Sequence, residues 1–298
     1  MDYLRSAIES VLRQTCTNWQ CIVIDDCGGE SAEQLIQEFK SEKITYFRND
    51  KTLGISFNWN RAVDLTETEL ITIFHADDLM GELFIENTLE IFRNNPKIAA
   101  SHCRAHLIDA EGKNVKPIGQ IIKNFVRGYL SEESPILKGD QGLRSITLAD
   151  WIICPTLTYR TQTLKDLRFN TSLNFASDLE LIAQLLFSDL IILSRDEYDY
   201  SYRFHHDSQT ARMKNSGQRF QEEWAVISWI GEIAKQRGWK KTRFVASVKP
   251  ILRAHIIVEG ISNLFKRNGK IAIRLLWWAV YKPPTSQILF IPKERQKL

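Results

Sequence analysis

An α/β fold is predicted for this chain: a Rossmann-like, mostly parallel sheet flanked by helices, followed by a helical C-terminal extension. Three observations carry the prediction. Short apolar runs of strand length alternate with segments of helical periodicity through the first third of the sequence. Two of those runs, in "CIVIDDCGGES" (21–31) and "LITIFHADDLM" (70–80), stop on adjacent carboxylates. From about residue 216 the strand pattern gives way to helical spacing.

The elements follow in order. In "DYLRSAIESVLRQ" the residues Tyr3, Leu4, Ala7, Ile8, Val11 and Leu12 fall on one helical face. A strand is expected over 21–24, a helix over about 31–40 with Leu35, Ile36 and Phe39 inward, and a strand over 44–47. A helix over about 56–66, a strand over 70–74 and a helix over about 82–93, closed before Pro96, continue the alternation. "AASHCRAHLIDAEGKNV" reads as a strand, a Glu-Gly turn and a partner strand, whereas 116–150, with Pro117 and "SEESP", reads as a mobile loop. "TLTYR" returns to strand and "DLELIAQLLF" opens a helix at Asp178. The C-terminal helical pattern is broken at Pro250 and at Pro283-Pro284. Domain boundaries are expected at 1–212 and 213–298.

The 298 residues are enough to bury a large core, and 44% hydrophobic with 25% charged residues is an ordinary globular composition. A net charge of +3 is too mild to point to nucleic acid. Five scattered cysteines without a CxxC pair argue against zinc and against a disulfide framework, and fit a reducing, cytoplasmic setting. No apolar run reaches the roughly 18 residues of a membrane span.

The two acid pairs, Asp25/Asp26 and Asp77/Asp78, each close a strand. In an open parallel sheet, ligands sit beyond the carboxyl ends of the strands. Two such pairs in one crevice repel unless a cation joins them, and a hard divalent ion accepts carboxylate oxygens while bridging to phosphates. A nucleoside diphosphate with Mg²⁺ or Mn²⁺ is therefore the expected occupant. The alternative is that each pair caps the helix that follows it.

At this point the chain resembles the family 2 glycosyltransferases, which have the GT-A fold. "YLRSAIESVLRQTCTNWQCIVIDDCGGES", "NDKTLGISFNWNRAV", "ELITIFHADDLM", "FNTSLNFASDLELIAQLL" and "YRFHHDSQT" resemble, in order, five segments of that family, over residues 1 to about 212. The resemblance implies an inverting, metal-dependent transfer of a sugar from a nucleotide donor to a saccharide or lipid-linked saccharide acceptor. It implies donor contacts from Asp25, Asp26, Asn49, Asn60 and Asp77, a metal site from Asp77, Asp78 and His205 with Mn²⁺ or Mg²⁺, and Asp178 as general base. Which of Asp77 and Asp78 meets the metal stays open, as does the choice between catalysis and helix capping for Asp178. Trp151 either lines an acceptor or belongs to the core.

Two features depart from the family. His75 stands where the family often has the first acid of its D-x-D motif, which puts metal affinity in question. The family's opening strand and loop have no counterpart before the first helix; the readings are a natural protein longer than Met1 implies, which we favour, or a degenerate, non-catalytic nucleotide-sugar binder. A signalling receiver domain shares "IVIDD", but there that strand comes first, whereas here a well-formed helix precedes it. In "ISNLFKRNGKIAIRLLWWAVYKPP", basic residues alternate with Phe265, Trp277 and Trp278. A basic amphipathic helix over 261–281 either rests peripherally on an anionic membrane or packs against the catalytic domain or a second subunit.

Overall fold

The computed structural model describes residues 1–28, 30–117, 127, 135–205, 213 and 217–284. In chain order these form α1 (Asp2–Leu12), β1 (Cys21–Asp25), α2 (Glu30–Glu38), β2 (Ile44–Arg48), α3 (Ile55–Leu65), β3 (Leu70–Thr72), β4 (Leu79–Met80), α4 (Phe84–Asn94), β5 (Ile98–Ile108), β6 (Ile136–Leu137), α5 (Gly139–Ala149), β7 (Leu157–Arg160), α6 (Thr161–Leu167), α7 (Ser177–Phe187), β8 (Ile191–Arg203), α8 (Gln218–Gln236), α9 (Lys240–Val248), α10 (Pro250–Phe265) and α11 (Gly269–Tyr281).

The chain divides into two compact units. The first comprises 1–115, 152–171 and 191–205; the second comprises 116–151, 172–190 and 206–298. In the first unit β1 and β2 pair in parallel from Cys21↔Ile44 to Asp25↔Arg48. The second sheet runs β3-β7-β5-β8-β4. Its long β5–β8 ladder is also parallel, whereas β3–β7, β5–β7 and β4–β8 are short antiparallel pairings. β1 is half-buried along its whole length, because β2 alone pairs with it among the described strands. Met80, Phe84, Cys103 and Tyr200 form a core cluster, with Phe74, Ile85, Ala105 and Tyr202 packed against it. The expected Glu-Gly turn is present, with Gly112 at φ 84 and one antiparallel bridge, Ile108↔Asn114, in place of a full partner strand.

In the second unit α7 is buried almost all round, with Leu181, Ile182, Ala183, Leu185 and Leu186 at 0% exposure. α5 and α8 pack against it, α9 and α10 pack on α5 and α8, and α10 pairs with α11. The loop expected over 116–150 needs correcting: 139–149 is helix α5, whose buried Leu143, Ile146 and Ala149 hold it in place. Residues 118–126 and 128–134 of that stretch lie outside the described residues. Trp151 is core, 4% exposed, and donates from Nε1 to Ser145 Oγ at 2.8 Å. The region 261–281 is not one helix: α10 ends at Phe265 and α11 starts at Gly269, with a turn between them. Pro250 opens α10, where its missing N–H has no intrahelical partner to lose.

Candidate active site

The first acid pair is built into the end of β1. Asp25 accepts from the Gly28 backbone N–H at 2.6 Å and from the Tyr46 hydroxyl at 2.7 Å. Asp26 organises the following loop: Oδ1 accepts from Asn49 Nδ2 at 2.7 Å and from Leu53 N–H at 2.8 Å, and Oδ2 from Gly54 N–H at 2.9 Å. Burial works to raise the Asp26 pKa, but these three hydrogen bonds outweigh it and leave the group below the usual carboxylate value. Gly54 sits at φ 93, a conformation suited to glycine, and the chain enters α3 from there.

Asn49 is 2% exposed and spends its amide donors on Asp26 and on Asn58 Oδ1, while its oxygen accepts from Arg61. Asn60 is also buried; its amide gives to and takes from the Phe169 backbone, both at 2.9 Å. Both asparagines thus hold the loop and helix in place.

The second acid pair follows β3. Asp78 is fully buried. It accepts from the Tyr200 hydroxyl at 2.9 Å and from Arg203 N–H at 2.8 Å. Burial first, and the neighbouring Asp77 second, push its pKa well above the carboxylate range. Asp77 is the accessible member: its side chain is 32% exposed and its Oδ2 lies 2.8 Å from His205 Nε2. Arg203 donates from Nε to the Asp77 carbonyl at 2.8 Å and lies over the Tyr3 ring, which also meets His205. His206 lies outside the described residues.

His75 joins this cluster. One ligand atom each from His75, Asp77 and Asp78 lie within 4.8 Å of one another, a spacing that one divalent ion can bridge, so these residues fit such an ion. The ring stacks on Trp59 with centroids 5.6 Å apart, and Trp59 in turn meets the edge of Phe169. Burial lowers the imidazole pKa, with Asp77 opposing, so the ring is neutral at pH 7, the form that binds metals. In the sequence His75 counted against the metal site; one of its ring nitrogens instead lies within 4.8 Å of an oxygen from each acid.

Helix α3 links the two acid pairs. Its Asn58 donates to the Ile24 carbonyl at 3.3 Å and accepts from Asn49, and the next residue, Trp59, stacks on His75. Within the first unit, Asp26 and Asn49 are thus bound to the start of α3, while His75, which stands beside Asp77 and Asp78, stacks on Trp59 of the same helix, and His205 meets Asp77. Arg203, Tyr200 and Trp59 are supports that sequence reading missed, although Arg203 and Trp59 stood inside the quoted segments "YRFHHDSQT" and "NDKTLGISFNWNRAV".

Asp178 belongs to the second unit. It is the second residue of α7, partly exposed, and its Oδ1 accepts from Leu179 N–H at 2.8 Å. The N-cap is Ala176, which offers no side-chain oxygen. Glu222, from α8, supplies that acceptor: its Oε2 takes hydrogen bonds from the backbone N–H groups of Asn174, Phe175 and Ala176 at 3.0, 2.7 and 3.2 Å.

Comparison with known proteins gives the family and the fold. Residues 1–159 match the family described as Glycosyl transferase family 2. The chain belongs to that family and is a glycosyltransferase. It is 24% identical over 219 residues to an uncharacterized glycosyltransferase of Methanocaldococcus jannaschii, covering 71% of this chain and 70% of that one. Over 88 residues it is 28% identical to the Escherichia coli UDP-Glc:alpha-D-GlcNAc-diphosphoundecaprenol beta-1,3-glucosyltransferase WfgD, covering 30% of this chain and 33% of that one. Among solved structures, the mannosyltransferase PcManGT of Pyrobaculum calidifontis, in complex with GDP-Man and Mn²⁺, superimposes with a TM-score of 0.60 at 12% identity, over 94% of this chain and 80% of its own. The fold is GT-A.

Proposed function

We propose that the chain is an inverting, metal-dependent glycosyltransferase that moves a sugar from a nucleoside-diphosphate donor to a saccharide acceptor, lipid-linked in the reading we favour. The observation that supports the proposal is that Asp26 is bound to the start of α3 while His75, beside Asp77 and Asp78, stacks on Trp59 of the same helix, with His205 on Asp77. Asp25 and Asp26 accept from the base or ribose. Asn49 acts through Asp26, and Asn60 through the Phe169 backbone. Asp77, with His205 and His75, would hold the metal; Asp78, hydrogen-bonded to Tyr200 and Arg203, anchors the turn and would complete the ligand group.

A bound Mn²⁺ or Mg²⁺ supplies Lewis-acid stabilisation of the departing diphosphate. Asp178 sits at the positive end of the α7 dipole, which favours its charged form, and takes the acceptor hydroxyl proton. The acceptor oxygen bonds to the anomeric carbon as the bond from that carbon to the diphosphate breaks. One displacement inverts the centre. The UDP-glucose and diphosphoundecaprenol in the name of the E. coli relative, and the GDP-Man and Mn²⁺ held by the archaeal mannosyltransferase, support the donor, acceptor and cofactor classes. The enzyme works in the cytoplasm, with region 261–281 in peripheral contact with a membrane, or alternatively at a homodimer contact.

Isothermal titration with UDP, with and without Mn²⁺, tests the proposal directly. Binding that strengthens at least tenfold with Mn²⁺, and is lost in Asp77→Asn, is expected. UDP affinity indifferent to the ion would remove the metal from the mechanism.

A further inference from the structure

We infer that α10 and α11 form a monotopic docking face for anionic phospholipid, resting on the lipid-linked acceptor reading for what that membrane would carry. The two helices pack tightly through their inner faces. A Cβ at Gly260 would sit 2.9 Å from Leu276 Cγ, and Ile256, Ala272 and Leu275 are fully buried. Their outer faces carry large apolar side chains in solvent. On α10 these are Ile257, Val258, Ile261, Leu264 and Phe265, a stripe at helical spacing that ends with Phe265 at 85% exposure. On α11 they are Ile273, Trp277, Val280 and Tyr281, with Ile273 at 69% and Trp277 at 54%. Trp277 and Tyr281 lie with ring centroids 5.2 Å apart, an amphipathic pair suited to the headgroup level.

Charge decides the occupant. From Gly260 to Pro284 there is no Asp or Glu, while Lys266, Arg267, Lys270, Arg274 and Lys282 all lie exposed. The last acid before this stretch, Glu259, is buried against Asn263. Among the described residues of α10, α11 and the turns that bound them, every exposed charge is cationic, and an apolar surface so flanked complements an anionic lipid interface. A second copy of the same face would bring like charges together. No helix among the described residues is long and apolar enough to cross a membrane, so the face lies on the surface instead of spanning it.

The full chain should co-sediment with phosphatidylcholine vesicles containing phosphatidylglycerol and not with phosphatidylcholine alone. Raising salt should weaken binding, because the attraction is screened. Phe265→Ser with Trp277→Ser should weaken vesicle partition about tenfold or more while circular dichroism and UDP titration stay as in the parent, because both side chains already face solvent. Lys266→Glu with Lys270→Glu should abolish the preference for anionic vesicles. Absence of binding to anionic vesicles, or binding that these substitutions leave unchanged, overturns the inference. So does a dimer, seen by analytical ultracentrifugation, that the apolar substitutions dissociate while vesicles never compete with it. Because UDP binding is read on the same samples, loss of the membrane face and loss of the transferase reading are separable outcomes.

Discussion

At His75 the side chain within reach of Asp77 and Asp78 carries nitrogen where the family pattern has oxygen. Mg²⁺ takes oxygen ligands in a strict octahedron and sheds water reluctantly, whereas the larger and softer Mn²⁺ accepts an imidazole nitrogen beside carboxylates more readily. The ring is oriented by its stack on Trp59, so its position is set before any ion arrives. Replacing it with the family's acid, His75→Asp, should therefore lower the ratio of Mn²⁺ to Mg²⁺ affinity by about tenfold, measured by titrating each ion into the UDP-bound protein. An unchanged ratio would place His75 outside the coordination sphere. Asp78→Asn tests a different point: its carboxyl is already pushed towards the neutral form by burial and by Asp77, and Tyr200 and Arg203 hold both oxygens, so the amide is a mild change for the fold.

At the scale of the element, the helix that carries Asp178 depends on a carboxylate far along the chain. Three backbone N–H groups at the start of α7 converge on Glu222 Oε2, and Gln218 Nε2 holds the other oxygen at 3.0 Å. Glu222 is 1% exposed, so removing it strands the donors that converge on it, the N–H of buried Ala176 above all. Glu222→Leu should cost about 3–5 kcal/mol of unfolding free energy, and Glu222→Gln less than half of that, since the amide oxygen still accepts. Urea denaturation of the two variants checks the ranking; equal losses would mean that packing, not hydrogen bonding, sets the turn. If Asp178 is the base, the glutamine variant should also lose kcat at unchanged KM for the donor. Such a contact spans 46 to 48 residues and leaves no local trace in the sequence. Helix α5 was hidden for a related reason: Gly139, Gly142 and the β-branched Ile146 and Thr147 are weak helix formers, and burial of Leu143, Ile146 and Ala149 sustains it. The helices of the first half, by contrast, show their amphipathic spacing openly. The acid pairs were legible because each ends an apolar strand, but the donors that occupy Asp26 and the burial that separates Asp78 from Asp77 belong to tertiary packing.

Across the whole molecule, the residues of the proposed chemistry fall in two compact units. Asp25, Asp26, Asp77, Asp78 and His205 lie in the first, and Asp178 in the second. Each set has its own supports: Asn49, Asn58, Tyr200 and Arg203 in the one, Glu222 in the other. The Leu179 N–H that Asp178 Oδ1 accepts from belongs to its own helix. Nucleotide binding and proton transfer should therefore separate by mutation. Asp178→Asn keeps the size of the side chain and an oxygen to accept from Leu179 N–H, but it removes the basic oxygen. Transfer should fall by about 10²-fold or more, the usual contribution of general base catalysis, while the dissociation constant for UDP with Mn²⁺ changes less than about twofold. Steady-state transfer assays beside UDP titration of the same preparation measure both. Joint loss of transfer and UDP binding would make Asp178 a structural residue, and unchanged transfer would hand the proton to another group.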